Sequence, residues 1–331
     1  MKTTLRYAGG KSKAYKLITP YVTSDTIISP FIGGGSLESQ WSATSKVVGY
    51  DIFLPLVNYW NQLLHNNANL VAKLRTLSPD KLTYTKIKGE LLCWSYTQEL
   101  LKDWQTDYYK REPIELDDLT AAAYYYFNHN LSYGPMYLGW MSKIYEDSKK
   151  WSKMIDRVES YENKNLSVFS ADFSEVIPNH THEFLYLDPP YYLDKDADNK
   201  MFKGIYPNAN IDVHHSGFDH ELLRDLLHSH RGKFVLSYNN CATIREYYKD
   251  FKFVYPEWHY SYALGETRIG KNKDSNKPKE SHEILIIKDW WLSSLKPPTN
   301  ITPTAWTSCG GMICCTMRLK TTTTFNYMVS S

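Results

Sequence analysis

The chain has 331 residues, enough for one large or two smaller domains with a sizeable buried core. Hydrophobic residues make up 42% of it and charged residues 22%, which excludes a disordered chain. The formal net charge of +2 neither requires nor excludes a nucleic-acid partner. The 27 Tyr, 10 Trp and 12 Phe form an unusually large aromatic set, which suggests surfaces that stack on planar groups in addition to ordinary packing.

Seven short β-branched or aromatic runs, bounded by Gly, Pro or Asp, predict buried strands. These runs are Thr26–Ile32, Lys46–Ile52, Leu166–Ala171, Glu183–Leu187, Lys233–Tyr238, Phe251–Tyr255 and Glu283–Lys288. Helical patterns such as Leu56–Leu64 and Glu221–His228 lie between them. Alternating strands and helices predict a doubly wound α/β sheet, which binds ligands at the carboxyl ends of its strands.

One long interval interrupts this alternation. From residue 67 to residue 161 the pattern is helical, with a start signal at Ser78-Pro79-Asp80. We therefore expect a helical insertion at 67–161 within a sheet domain formed by residues 1–66 and 162–292. The insertion is rich in Tyr and Trp, and core packing is the favoured interpretation for most of these side chains.

The two ends of the chain give weaker signals. No run of about 18 apolar residues occurs and the start lacks the apolar stretch of a secretory signal, so an intracellular protein without a membrane segment is expected. The tail at 296–331 has no helical or strand period, which predicts an irregular appendage. Its cysteines Cys309, Cys314 and Cys315 have no His at zinc spacing, so no metal site is expected.

A glycine-rich turn follows the first predicted strand. Gly33-Gly34-Gly35 allows the backbone to pass close under a ligand, although a plain tight turn would use the same residues. Asp51 ends the next predicted strand, where a carboxylate can accept hydrogen bonds from the ribose of a nucleoside-containing cofactor. A surface Asp is the alternative. The glycine spacing differs from G-x-G-x-x-G, which argues against NAD.

The sharpest signal is Asp188-Pro189-Pro190-Tyr191, directly after a predicted buried strand. The two prolines exclude a helix and remove two backbone donors, so nearby carbonyls are free to accept hydrogen bonds. An acid, a carbonyl and an aromatic ring together suit a planar group with an exocyclic amine. Such a site acts by positioning and electrostatics. A type I turn after a strand is the alternative for the bare pattern.

In this order the motifs resemble those of the adenine-specific DNA methyltransferases of the α group, which include the bacterial Dam enzymes. The resemblance covers about residues 5–290. The blocks that carry it are Leu5-Arg6-Tyr7-Ala8-Gly9-Gly10-Lys11, Ser29-Pro30-Phe31-Ile32-Gly33-Gly34-Gly35, Gly49-Tyr50-Asp51-Ile52, Ala171-Asp172-Phe173 and Leu187-Asp188-Pro189-Pro190-Tyr191. Tyr7 stands where the family usually has Trp.

The resemblance implies a Rossmann-like methyltransferase sheet and methyl transfer from S-adenosyl-L-methionine to the exocyclic N6 amine of a flipped-out adenine in double-stranded DNA. Asp188 and the Pro189 carbonyl would hold the amine, in a catalytic motif completed by Pro190, while Tyr191 would stack on the base. The donor site would be lined by Tyr7, Lys11, Phe31, Ile32, Gly33, Gly34, Gly35, Asp51, Asp172, Phe173 and Asp188. DNA contacts are implied for Asn128, His129, Asn130 and Tyr133, with helix capping as the alternative for each.

A restriction-modification or DNA-marking role, a restriction endonuclease partner acting on the same site and a monomer on DNA are further expectations from the resemblance. Two other readings remain open. The acceptor could be a cytosine amine or an RNA adenine, or the chain could bind DNA without turnover. The polar segment 194–215 is predicted to be a lid over the target base, and the loop at 271–279 either contacts phosphates or is a solvated hairpin.

Overall fold

The computed structural model describes residues 2–98, 114–192, 218–256 and 283–289, together with two short strands within 307–314. It divides into a unit of residues 1–290 and a unit of residues 291–331. In the first unit, the strands are β1 Thr26–Ser29, β2 Lys46–Asp51, β3 Leu166–Ser170, β4 Phe184–Leu187, β5 Phe234–Asn239, β6 Lys252–Val254 and β7 Glu283–Lys288. All seven predicted strands are confirmed, with ends that differ by a few residues. β1 ends at Ser29 because Pro30 has no N–H for the strand ladder.

The seven strands form one sheet in the order β3-β2-β1-β4-β5-β7-β6. β1 pairs in parallel with both β2 and β4, while β7 runs antiparallel between β5 and β6. The strand order reverses between β1 and β4, and in doubly wound sheets the crevice at such a point binds the ligand. The predicted α/β architecture is confirmed.

Helices cover both faces of the sheet. In the described part of the first unit they are α1 Tyr15–Ile18, α2 Glu38–Trp41, α3 Leu54–His65, α4 Asn67–Arg75, α5 Lys81–Thr97, α6 Asp118–Leu131, α7 Ser148–Glu159, α8 Phe173–Asn179, α9 His220–Ser229 and α10 Ala242–Tyr247. Alternate residues of a strand point to opposite faces. Thus Ile27 of β1 packs in the core on the side of α3 and α6, while Ile28 packs in the core on the side of α8 and α9.

The helical interval predicted at 67–161 contains α4, α5, α6 and α7. Its side chains share one core with α3 and the sheet, since the rings of Tyr59 and Tyr126 stack with centroids 5.1 Å apart. Tyr125, Tyr126 and Trp151 are buried, as expected for packing residues. Most of the aromatic excess therefore fills the core in the described part of the chain, whereas Trp140 is 80% exposed.

The second unit departs from the predicted irregular tail. It contains an antiparallel pair, β8 Thr307–Cys309 and β9 Met312–Cys314. The sequence assigned no strand to this region, so the short pair is a local exception within the segment predicted to be irregular. Across the described ranges, no helix combines the length and apolarity needed to cross a membrane.

The N-cap of α6 gives a test of the local fold. Asp117 accepts hydrogen bonds from the Thr120 N–H at 2.8 Å and from the Thr120 hydroxyl at 2.7 Å. Asp117→Ala should therefore lower the free energy of unfolding by about 1 kcal/mol, as measured by urea denaturation. Glu115→Ala, an exposed change outside the helix, is the control and should have little effect. Equal effects of the two changes would contradict the capping role.

Candidate active site

A cleft with about 960 Å³ of space, partly open to solvent, lies at the carboxyl ends of β1 and β4. This is the place where the strand order reverses. All eleven residues predicted to surround the methyl donor line the cleft, and so does Pro190. Residues that are far apart in the sequence, such as Tyr7, Asp51 and Asp172, are thus brought together by the sheet topology.

Asp51 fixes the glycine-rich turn from the end of β2. Its carboxylate accepts hydrogen bonds from the Gly33 N–H at 3.1 Å and from the Phe53 N–H at 3.0 Å. Burial raises the pKa of Asp51 to about 6, although these two backbone donors favour its ionised form. The plain surface Asp considered for this position does not fit these contacts.

The glycines of the turn are required by a protein side chain as well as by backbone shape. A Cβ atom at Gly34 would lie 2.4 Å from the Cβ of Tyr7, so the Tyr7 side chain already occupies that space. Gly33 has a φ of 48°, a left-handed conformation that favours glycine. Gly35 has a φ of 57°, and a Cβ atom there would lie 2.6 Å from the Trp60 ring. The packing of Tyr7 and Trp60 and the left-handed backbone therefore account for these glycines, for which the sequence left the approach of a ligand and a plain tight turn open.

A buried ion cluster closes one end of the cleft. The Lys11 ammonium lies 2.9 Å from the Asp188 carboxylate and 3.5 Å from that of Glu283, and it donates to the Tyr191 hydroxyl at 2.8 Å. The Lys11 side chain is 2% exposed and that of Asp188 is 24% exposed. Burial disfavours the Lys11 charge, but Asp188 and Glu283 outweigh this effect and raise the pKa of Lys11. Burial raises the pKa of Asp188, and Lys11 opposes this rise.

The segment after Asp188 is held at its far end by β5. Asn239 accepts a hydrogen bond from the Tyr192 N–H at 2.9 Å, and its amide donates to the Tyr192 carbonyl at 2.8 Å. Tyr191 is 3% exposed, and its hydroxyl donates to Glu283. Pro189 is buried as well. The Tyr191 ring, which was predicted to stack on the target base, therefore lies inside the protein, and its hydroxyl is hydrogen-bonded to Glu283 and Lys11.

This geometry accompanies a match to a known family. The family model of the D12 class N6 adenine-specific DNA methyltransferases matches residues 7–262, more than three quarters of the chain. The chain belongs to this family. A comparison with curated proteins gives no match. As an adenine-specific DNA methyltransferase the chain acts on DNA with a methyl donor, and the predicted enzyme class is confirmed.

Several residues of the methyltransferase cleft carried no sequence signal that we used. Phe218 packs against Phe31 and Phe173, with ring centroids 5.7 Å and 5.0 Å away. Tyr186 is 1% exposed, lines the cleft and has a hydroxyl without a hydrogen-bond partner in the described part of the chain. Glu38 is a buried acid that lines the cleft, and Glu283 is a buried acid that bonds to Tyr191 and Lys11 behind it. The sequence signal for Glu283 was an acid at the start of an apolar strand, and the signal for Glu38 was an acid shortly after the glycine-rich turn.

Three of the four predicted DNA contacts lie inside the methyltransferase. Asn128 is 0% exposed, His129 4% and Asn130 1%, which contradicts direct DNA contact by these side chains. They organise the start of the chain and a loop instead. Asn130 accepts from the Arg6 N–H at 2.8 Å, His129 stacks on Tyr7, and Asn128 accepts from the Leu138 N–H at 2.7 Å. Helix α6 gives no hint of this in sequence, because polar side chains near a helix end are normally solvated.

Tyr133, the fourth predicted contact, is 54% exposed. Its N–H donates to the Trp140 carbonyl at 2.6 Å, so these two exposed aromatic residues flank the same loop. The lid predicted at 194–215 and the loop at 271–279 both lie outside the described residues. Within the described ranges, no cluster of three or more His, Cys, Asp or Glu could hold a metal ion.

Glu38 gives the methyltransferase a predictable pH dependence. Burial raises its pKa from 4.5 to about 7, although the Ser29 hydroxyl and the Leu37 N–H donate to it. The folded state therefore binds a proton more tightly than the unfolded state. This contribution to stability is full below pH 4.5 and is lost as the pH rises through about 7.

Glu38→Gln removes this proton-linked contribution. Relative to the wild type, the free energy of unfolding of the variant should rise by about 3 kcal/mol at most between pH 4.5 and pH 8, as measured by urea denaturation at both values. Glu162→Gln replaces an exposed carboxylate and is the control. A difference between Glu38→Gln and the wild type that does not change with pH would contradict the assignment.

Proposed function

We propose that this chain transfers a methyl group from S-adenosyl-L-methionine to the N6 amine of an adenine that is flipped out of duplex DNA, with Asp188 holding the amine. The observation that carries the proposal is the position of Asp188. It lies at the end of β4, pairs with Lys11 and lines the same cleft as Asp51 and the glycine-rich turn. The adenine amine and the methyl donor would therefore meet at one edge of the sheet.

The cleft fits the chemical parts of this donor. Asp51 retains acceptor capacity for ribose hydroxyls beyond its two backbone hydrogen bonds. Phe31 and Phe173 offer apolar ring surface for the adenine, and Asp172 lies beside them. The cleft wall between the ribose and adenine positions would be formed by Tyr7, Ile32, Gly33, Gly34 and Gly35. Lys11 and Asp188 present opposite charges, which suits the zwitterionic amino-acid end of the donor.

When bound, S-adenosyl-L-methionine supplies an electrophilic methyl group, whose carbon–sulfur bond breaks with its electron pair left on sulfur as the carbon–nitrogen bond forms. Asp188 and the Pro189 carbonyl would accept the two hydrogens of the amine. This localises the nitrogen lone pair and directs it at the methyl carbon. The amine loses one proton after transfer, with Asp188 as its first acceptor, and Lys11 favours the ionised carboxylate that this role needs.

Access to the adenine requires base flipping, which costs a few kcal/mol. We assign target recognition to the insertion at 67–161, where Tyr133 and Trp140 expose aromatic surface on one loop. Exposed rings of this kind stack on bases or enter a groove. A restriction-modification or DNA-marking role, a partner endonuclease and a monomer on DNA rest on the family resemblance alone.

The test is methyl transfer from labelled S-adenosyl-L-methionine to duplex DNA, followed by mass spectrometry of the product nucleosides. We expect N6-methyladenine, and Asp188→Ala should lower the rate by at least about 100-fold because it removes the side-chain acceptor for the amine. Asp250→Asn, which changes an exposed residue outside the cleft, is the control and should retain the wild-type rate.

The other outcomes are distinct. Methylated cytosine or methylation of RNA alone would favour a different acceptor, and DNA binding without transfer at saturating donor would favour a protein without turnover. A rate that Asp188→Ala leaves unchanged would exclude the role of this carboxylate.

A further inference from the structure

Glu283 is a buried acid at the edge of the sheet where the active-site cleft lies. β7 runs antiparallel to β5, so its first residue, Glu283, pairs with Asn239 at the last position of β5. The antiparallel strand thus brings its amino-terminal residue to the edge where the parallel strands end. The Glu283 side chain is 0% exposed there, at the head of the apolar run Ile284–Ile287.

Glu283 is bonded to two groups of the catalytic region. The Tyr191 hydroxyl donates to its Oε1 atom, and the Lys11 ammonium lies 3.5 Å from the same oxygen. Lys11 also donates to the Tyr191 hydroxyl at 2.8 Å and lies 2.9 Å from Asp188. The Tyr191 hydroxyl therefore connects a cation on one side with a carboxylate on the other. These contacts form a continuous path from Glu283 through Tyr191 and Lys11 to Asp188.

Fold stability alone does not explain this arrangement. A buried charge is expensive even when it is paired, and apolar residues of similar size often stabilise such a position equally well. Burial raises the pKa of Glu283 to about 7, with Asp188 adding to the rise and Lys11 opposing it. The acid lies where its partners, Lys11 and Tyr191, belong to the motifs that the proposed function places at the reaction.

We propose that Glu283 is a positioning residue for methyl transfer, which holds the Tyr191 hydroxyl and the Lys11 ammonium and thereby directs Lys11 toward Asp188. The inference rests on the proposed function and extends it to a residue that the sequence placed at the start of a strand without a role in the site. Glu283 touches neither the donor nor the target base in this account. It acts through Lys11, which lines the cleft, and through Tyr191, which follows the two prolines.

The test compares Glu283→Gln, Glu283→Asp, Tyr191→Phe and the double variant Glu283→Gln/Tyr191→Phe. Two quantities are measured: the dissociation constant of S-adenosyl-L-methionine by calorimetry, and the single-turnover rate of adenine methylation at saturating donor and DNA. Lys288→Met is the matched control, because Lys288 is a buried charged residue at the other end of β7 and donates to the His230 carbonyl. Thermal unfolding confirms that each variant is folded.

We expect Glu283→Gln to lower the single-turnover rate by about 10- to 100-fold, in line with the loss of a hydrogen bond to a charged group. The affinity for the donor should fall by a smaller factor than the rate, since Lys11 keeps its ion pair with Asp188. Glu283→Asp should restore part of both values because it restores the charge. The double variant should lose little beyond the worse single variant, because both changes interrupt the same path.

Three results would overturn the positioning role: a rate for Glu283→Gln close to that of Lys288→Met, additive losses in the double variant, or no recovery in Glu283→Asp. If Glu283→Gln does not fold, Glu283→Asp and Tyr191→Phe are compared with Lys288→Met instead. Rates for both that are close to that of Lys288→Met would overturn the positioning role. A wild-type chain that neither binds the donor nor methylates adenine would overturn the proposed function itself, and this inference with it. The wild-type measurement therefore separates the two failures.

Discussion

The Lys11 ammonium is charged and almost completely removed from water, and the groups around it make this burial possible. A charge in such a place is tolerated only when opposite charges and hydrogen-bond acceptors surround it. Asp188 and the Tyr191 hydroxyl supply them from the loop after β4, and Glu283 supplies another from β7. The start of the chain, β7 and the Asp-Pro-Pro-Tyr loop are thus fixed relative to each other by one cation.

The start of the chain also connects the helical insertion with the cleft. Asn130, at the end of α6, accepts a hydrogen bond from the Arg6 N–H, and His129 stacks on Tyr7. Tyr7 in turn covers Gly34. The segment that recognises DNA in our proposal and the turn that lines the donor cleft are therefore in contact through two consecutive residues.

The sequence predicted the sheet and the cleft well because both depend on local patterns. Apolar runs with Gly, Pro or Asp at their ends define the strands, and the sheet then brings motifs such as Asp51 and Asp188 to one edge. It did not predict which polar residues are buried. Glu283 reaches the site only because β7 is antiparallel, and Asn130 is buried because the start of the chain packs on it. Both facts depend on contacts between residues far apart in the sequence. Asn130 and Arg6 are more than 100 positions apart, and Glu283 lies about 45 positions from the β5 residues that it contacts.

The Lys11 ammonium remains a cation because the carboxylates of Asp188 and Glu283 compensate its burial. Nitrogen NMR of protein with labelled lysine, followed from pH 7 to about pH 11, tests this most directly, since an exposed lysine titrates near 10.4. We expect the Lys11 ammonium to stay protonated at the upper end of this range while exposed lysines lose their protons, and we expect Asp188→Asn to lower the pKa of Lys11. A Lys11 that loses its proton with the exposed lysines or before them would contradict the account.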